Sequence, residues 1–467
     1  MGDVPLILGV DSSTQSTKAV LVDAADGTIV DSRSVPHPSG ARSEVDPRSW
    51  LRAVDDATAG LLGRADAVAV GGQQHGMVAL DADGEPVRDA LLWNDTRSAP
   101  QAAALIEEMG GRQACADAIG SVLVASITST KLRWLRENEP EAAARVASVL
   151  LPHDYLSAHL AAPGTPVFTD RGDASGTGYF DARTATWRRD LFEQALGHDA
   201  ELPRVVAPGE VAAHTADGRV VAAGTGDNMA AALALDLTPA DVLVSIGTSG
   251  VASTVATAPI ADATGTVTGF ADARGAYLPM VTTMNAAGIL DLQARLLGVD
   301  HAELARLALA AAPGSGGLTL LPYYGGERTP DRPSARGHWS GLTPATTRED
   351  VARAAVEALL CSLADAVDAL VVHTGVEPQR VLLTGGAARN EAVRALAPAL
   401  LGREIVCPAP GEYVALGAAR QAAWALAGTP EPPAWTVPTE ARLPAEAPDA
   451  EVRAVRERYA ALRDRLA

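Results

Sequence analysis

Two stretches of this chain, far apart, follow one plan: a short apolar run, a tight polar turn, and a second apolar run. The first is Leu6-Ile7-Leu8-Gly9-Val10, a turn from Asp11 to Thr17, then Ala19-Val20-Leu21-Val22. The second is Val242-Leu243-Val244-Ser245-Ile246, the turn Gly247-Thr248-Ser249-Gly250, then Val251 to Val255. Apolar runs this short, bounded by turn residues, read as buried strands. A repeated opening in a chain of 467 residues, too long for one core, divides it into two related α/β units. The expected ranges are 1–236 and 237–430, with a Pro-rich segment and a charged terminal helix over 431–467.

Local signals fill in the rest. Ala25-Asp26-Gly27 is a hairpin turn leading to a third strand from Thr28 to Val35. A helix from about Pro47 to Leu62 comes next, with Asp46 as N-cap and Pro47 in its first position. Ala67 to Val70 is a strand ending at Gly71-Gly72-Gln73-Gln74-His75-Gly76, and helical patterns dominate from Ser98 to about Leu160. Val220 to Ala223 is a strand running into Gly224-Thr225-Gly226-Asp227-Asn228 and the helix Met229 to Leu235. In the second unit come a strand from Leu318 to Leu321 and a long amphipathic helix from about Arg348 to His373. The strand Val381 to Thr384 then runs into Gly385-Gly386-Ala387-Ala388-Arg389-Asn390, which opens a helix. The strand Glu404 to Cys407 and the helix Val414 to Leu426 close that unit. Prolines 430, 432, 433, 438, 444 and 448 predict an extended surface connection.

Charge and cysteines narrow the class. A formal net charge of −19 repels nucleic acid and anionic membrane. Cys115, Cys361 and Cys407 form no paired framework, which predicts free buried thiols in a reducing compartment. The first residues lack the basic start of a secretory leader, and the most apolar stretch, Ala358 to Val372, is interrupted by Asp365 and Asp368. A cytoplasmic protein is expected, with no nucleic-acid or membrane partner. A homodimer is among the assemblies the sequence allows.

Several segments can carry chemistry. In Asp11 to Lys18 a strand delivers a carboxylate, then a turn dense in hydroxyl and N–H donors, then one of only two lysines. Such a turn can cradle phosphate, and Asp11 can hold a Mg²⁺ that does so. Read alone it is more readily a solvated hairpin, and Gly247 to Gly250 still more so. Their pairing, one in each unit, is what suggests a triphosphate clamp. No Walker A pattern occurs. Asp227, between strand and helix, can be an N-cap, or a carboxylate at a strand's carboxyl end that takes a hydroxyl proton, and the roles can coexist. Gln74 and His75 lie on a loop after a strand. Trp93, Asn94 and Asp95 can offer a stacking face and two polar groups to a polyol, or be a buried Trp followed by a turn. Glu327-Arg328 can be a loop ion pair. Gly385-Gly386 before a helix can let a nucleotide approach the backbone.

Taken together these segments resemble the FGGY carbohydrate kinase family, in family order from about residue 6 to about 427. The motifs are Gly9 to Lys18, Gly72 to Gly76, Leu92-Trp93-Asn94-Asp95, Leu151-Pro152-His153-Asp154-Tyr155-Leu156, Thr169-Asp170 through Asp173 to Thr177, and Gly226-Asp227-Asn228. Then come Ser245 to Gly250, Leu321-Pro322-Tyr323 with Gly326 to Pro330, Gly341-Leu342-Thr343, Gly385 to Asn390, and Leu416 to Ala419. The resemblance implies two actin-like, ribonuclease H-like ATPase domains flanking an interdomain cleft. It implies ATP and Mg²⁺, with Asp227 as general base and Asn228 beside it on the sugar. Gln74, His75, Trp93 and Asn94 would contact the sugar and Asp11 the metal. Ser13, Thr14, Lys18, Gly247 and Thr248 would sit at the phosphates, and Gly385, Gly386 and Asn390 at the adenosine. The Gln-x-His-Gly segment with Trp-Asn-Asp is similar to the branch acting on D-xylulose, and implies transfer of the γ-phosphoryl of ATP to its terminal hydroxyl. Another pentulose, a polyol or a sugar acid (ribulose, arabinitol, gluconate) is the alternative within the family. An actin-like ATP-binding protein without a sugar is the alternative outside it. Gln73-Gln74-His75 stands where family members have Gln-Met-His, and Ser13-Thr14 where many have Gly-Thr.

Overall fold

The structure is a computed structural model that describes residues 4–37 and 43–466. Met1 to Asp3, part of the N-terminal segment read above for a leader, lie outside the described residues. The chain forms two compact units, and neither is one continuous stretch. Residues 1–236, 257–278 and 411–437 make the first, and 237–256, 279–410 and 438–467 the second. The first break falls between 236 and 237, and the segments 257–278 and 411–437, which the expected ranges placed outside it, pack into the first unit.

The first unit is built on a mixed sheet. Its strands are β1 (Leu6–Ser12), β2 (Ser16–Asp23), β3 (Ile29–Pro36), β4 (Ala67–Gly72), β5 (Val211–His214) and β6 (Val220–Ala222), in the order β5-β6-β4-β1-β2-β3. The short β7 (Thr225–Gly226) pairs with β4. β1 runs antiparallel to β2 but parallel to β4, and β4 runs parallel to β6 and β7. Strand periodicity sorts the side chains: Leu8, Val10, Val68 and Val70 enter one buried cluster, and Ile7, Ala67 and Ala69 the other. Both faces are therefore covered, which is why these strands read as continuous apolar runs. Helix α1 (Arg48–Thr58) covers the first face through Trp50, Val54 and Ala57. Its start lies one residue later than expected: Pro47 caps it, and Asp46 accepts the Arg48 N–H at 3.0 Å. Helices α2 (Thr128–Asn138) and α3 (Pro152–Leu160) come later in the chain. The helical region expected from Ser98 to Leu160 is broken by a strand at Ser148–Leu150, which pairs with Val78–Leu80. Helix α4 (Asp227–Ala234) starts directly after β7.

The second unit repeats the arrangement. Strands β8 (Asp241–Ile246), β9 (Gly250–Ser253), β10 (Tyr277–Thr283), β11 (Arg380–Thr384), β12 (Glu404–Pro408) and β13 (Thr439–Leu443) lie in the order β10-β9-β8-β11-β12-β13. Helix α5 (Arg348–Thr374) begins with a capping box between Thr347 and Asp350 and ends at Gly375 in the left-handed region. It is not amphipathic as expected: every residue from Ala352 to Ala364 is buried. The charges this encloses are paired. Arg353 bonds Glu357 at 2.7 Å, and Glu357 also accepts the Gly314 N–H at 3.0 Å. Helix α6 (Glu391–Leu401) is capped by Asn390, whose side chain accepts from Ala392 and Val393.

Helix α7 (Tyr413–Ala427) returns to the first unit and covers the sheet's second face with Ala415, Ala418, Ala419 and Ala422. Such small side chains let it lie close, and Gly9 and Gly417 have no room for a Cβ against Ala415 and Ala230. The Pro-rich segment is more ordered than a surface connection. Trp435 is buried in the first unit and donates to the Ala24 carbonyl at 3.0 Å. β13 is an edge strand bracketed by Pro438 and Pro444, where a missing N–H does least harm. The C-terminal α8 (Ala450–Arg465) is tied to α5 by Arg456 and Arg463, both paired with Asp365. Among the described residues no helix is long and apolar enough to cross a membrane, and Cys115, Cys361 and Cys407 are free and buried.

Candidate active site

Parallel pairing makes strands β1, β4 and β7 end side by side. Asp11 is opposite Gly71 and Ser12 opposite Gly72, while Thr225 and Gly226 face the same two glycines from the other side. The residues at and just beyond these ends are thereby gathered: Asp11 and Ser12 from β1, Gln73 to His75 after β4, and Asp227 with Asn228 after β7. The carboxyl ends of parallel strands are where α/β sheets bind ligands.

Asn228 organises the centre. Its Nδ2 donates to Asp227 Oδ1 and to Gln74 Oε1, at 2.9 Å each, and its backbone N–H donates to Asp227 Oδ1 at 2.8 Å. Asp227 Oδ2 accepts from no other described residue. Burial pushes the Asp227 carboxyl up to about 6, against the lowering effect of the Asn228 donors. Such a group is mostly ionised at neutral pH yet basic enough to accept a proton. Around it lie buried polar atoms with no hydrogen-bond partner: Asp11 Oδ1, Ser12 Oγ, both amide atoms of Gln73, Gln74 Nε2 and Asp173 Oδ1. Protein interiors leave few such atoms unpaired. Their concentration at one set of strand ends marks a polar site.

The other sequence candidates in this unit surround that centre or shape its edges. His75 sits in the left-handed region at φ 65, with its Nδ1–H donating to the Gly176 carbonyl at 2.8 Å and its ring tilted against Phe270. Trp93 is 43% exposed and donates from Nε1 to Thr14 Oγ1 at 3.1 Å, so it borders the first turn, beside the partly buried Asn94. Ser13 uses both its N–H and its hydroxyl on the Ser16 carbonyl, and so shapes that turn. Lys18 is engaged by Glu412 at 2.6 Å, an ion pair at a partly exposed position. Asp11 is only 7% exposed, and its carboxyl is pushed up to about 7 by burial and by Asp227, with Lys18 opposing and Glu412 adding to the rise. An unpartnered oxygen on a carboxyl strained by neighbouring negative charge fits a bound cation.

In the second unit β8 and β11 run parallel, with Ser245 opposite Thr384, so the Gly247 turn and Gly385-Gly386 emerge together. Gly385 has φ 89, and a Cβ there would stand 2.6 Å from the Ile246 carbonyl oxygen, so this position requires glycine. Gly386 and Asn390 line a pocket of about 560 Å³ with Ala287, Leu290, Ala305 and Arg389. Thr248 is exposed on the turn, whose Gly247 carbonyl accepts the Ala287 N–H at 2.9 Å and so joins turn to pocket. Small apolar walls with a few polar groups suit a nucleoside. Glu327 and Arg328 form no ion pair with each other. The buried Glu327 accepts instead from Asn285 Nδ2 at 2.9 Å and from the Met284 and Arg328 backbone.

Sequence reasoning passed over Asp173 and Gln73 as site residues. Both stand inside family motifs that were given no role in the site, and the placement of Asp173 depends on Gly226, where a Cβ would lie 3.2 Å from Asp173 Oδ1 and 2.7 Å from Gln74 Cγ.

Comparison with known proteins gives the family. The model of the FGGY family of carbohydrate kinases matches with its N-terminal domain over residues 6–234 and its C-terminal domain over 242–426. A xylulose kinase of Streptomyces coelicolor is 49% identical, covering 91% of this chain and 89% of its own length. One from Streptomyces rubiginosus is 48% identical over the same shares. The crystal structure of xylulose kinase from Bifidobacterium adolescentis superimposes with a TM-score of 0.90 at 45% identity, covering 98% of this chain and 99% of that one. This chain belongs to the FGGY family of carbohydrate kinases. It is an ATP-dependent sugar kinase with two mixed α/β domains of actin-like architecture.

Proposed function

We propose that this protein phosphorylates D-xylulose, transferring the γ-phosphoryl of ATP to the terminal hydroxyl to give D-xylulose 5-phosphate and ADP. The observation that carries the chemistry is the Asp227–Asn228–Gln74 linkage across the two adjacent strand ends of β4 and β7. One Asp227 oxygen is held by Asn228, and the other is left to accept the sugar hydroxyl's proton as that oxygen attacks phosphorus. Asn228 fixes the carboxylate's orientation. Gln74 Nε2, the His75 ring and Asn94 supply donors and acceptors to the remaining hydroxyls, and Trp93 supplies a flat face. The choice of sugar rests on the relatives' names and their identity with this chain.

For the nucleotide, Gly385, Gly386 and Asn390 receive the adenosine, and Gly247 and Thr248 with Thr14 offer donors to the phosphates. Ser13 supports by shaping the turn, and Lys18 by holding Glu412. Mg²⁺ would be held at Asp11, directly or through water, where it supplies positive charge against the phosphate oxygens. A cytoplasmic setting is supported by the three free buried thiols.

The test is an ADP-release assay with D-xylulose, D-ribulose, L-arabinitol, D-gluconate and glycerol. The expected result is a kcat/KM for D-xylulose above that of every other sugar. Preference for another sugar overturns the choice of substrate, and ATP turnover indifferent to every sugar overturns the kinase reading of the site.

A further inference from the structure

Lys131 is one of two lysines in the chain and is completely buried. It forms no ion pair with any described carboxylate. Its Nζ donates instead to two backbone carbonyls, that of Ser126 and, at 3.2 Å, that of His75. Burial lowers its pKa to about 7, opposed by the charge of Asp95. Burying an ammonium among carbonyls alone is costly, and an apolar side chain of similar length would fill the space without that cost.

The carbonyl it holds belongs to a residue in an unfavourable conformation. His75 is a non-glycine at φ 65, in a left-handed region that L-residues rarely occupy. Thr128 Oγ1 donates to the same carbonyl at 3.2 Å. On the ring side His75 is held by Gly176 and Phe270, and the next residue, Gly76, packs so close to Pro152 that a Cβ there would stand 2.5 Å from Pro152 Cγ. Immediately before it, Gln74 is hydrogen-bonded to Asn228.

We infer that Lys131 is a positioning residue for the sugar: with Thr128 it locks the His75 carbonyl, and so holds Gln74 and His75 in the geometry that meets the sugar's hydroxyls. This rests on the reading of Gln74 and His75 as sugar contacts. Neither Lys131 nor Thr128 touches the substrate. Their effect is on how well the loop is arranged before the sugar arrives.

The experiment compares Lys131→Met, Thr128→Val and Thr128→Ser with the wild type in the ADP-release assay, with KM measured separately for D-xylulose and ATP. Lys131→Met is expected to raise the D-xylulose KM about tenfold or more with the ATP KM within about twofold, a tenfold change being about 1.4 kcal/mol. Thr128→Val is expected to shift the same parameter by less, and Thr128→Ser, which keeps the hydroxyl, to restore it. If Lys131→Met does not fold, the threonine pair decides. Wild-type D-xylulose KM in the folded valine or methionine variants overturns the inference, as does an equal rise in both KM values. A wild type that phosphorylates none of the sugars overturns the functional reading as well, which separates the two failures.

Discussion

Asn228 Nδ2 donates to Gln74 Oε1 at 2.9 Å, although 154 residues separate them in the chain. The same nitrogen reaches Asp227 Oδ1, so one amide ties the proposed base to the proposed sugar loop. Removing it has a predictable sign. The Asn228 donors lower the Asp227 pKa, while burial raises it to about 6. A general base works only when ionised, so kcat/KM should fall as pH drops through about 6 and level off above it. In Asn228→Ala the side-chain donor is lost, burial acts with less opposition, and the acid limb should move to higher pH. A pH–rate profile of both proteins checks this, and an unchanged acid limb would count against Asp227 as the titrating base.

Asp227→Ala removes the proton acceptor itself. The expected loss in kcat is at least about a hundredfold, the lower end for a general base. Helix α4 should survive, because Asp227 is its first residue and not a buried apolar anchor. Circular dichroism alongside saturating-substrate kinetics separates lost chemistry from lost fold.

Much of the site was legible because strand ends can be read from sequence. Asp11, Gln74, His75 and Asp227 each come after a short apolar run, and strand register then brings them together. Gly385-Gly386 was legible for the same reason, as a break between strand and helix. Long-range packing was not legible. Nothing local says that residues 411–437 return to the first unit, because an Ala-rich helix is equally at home on either sheet. The amphipathic reading of α5 failed because Arg353 and Glu357 satisfy each other inside the core, so their charge did not mark a solvent face. The strand Thr439–Leu443 was hidden by the prolines that flank it.

Gly417 tests that return packing. A Cβ there would overlap the Ala230 carbonyl oxygen, a backbone atom of α4 that cannot rotate away. Gly417→Ala should destabilise the protein by about 3 kcal/mol, the upper end for overpacking, despite alanine's better helix propensity. Because Ala230 and Asp227 share α4, the surviving folded fraction should also lose kcat. Thermal unfolding and kinetics on one preparation check both effects. A variant as stable and active as the wild type would show that α7 does not lie this close.

His153 tests the buried charge behind the site. It is fully buried, with Nδ1 at 2.6 Å from Asp173 Oδ2 and Nε2 at 3.2 Å from Asp154 Oδ1. Burial alone would lower its pKa, but Asp154, then Asp173 and Asp170, outweigh burial and push it up to about 9. A histidine raised from its ordinary value of 6.5 contributes stability that is complete below 6.5 and is lost as pH rises through 9. His153→Leu leaves carboxyls in the core without their cation, a change that costs about 3–5 kcal/mol in buried pairs elsewhere. Asp154 and Asp173 are themselves raised by burial, to about 7 and about 6, so the need for the cation is felt at and above neutral pH, and the variant should unfold below the wild type at pH 8. Because Asp173 Oδ1 lies beside Gly226, just before Asp227, the folded variant should also show a displaced acid limb in its pH–rate profile. A variant as stable as the wild type at pH 8 would mean that His153 is buried neutral, and that Asp173 is held by the hydrogen bond alone.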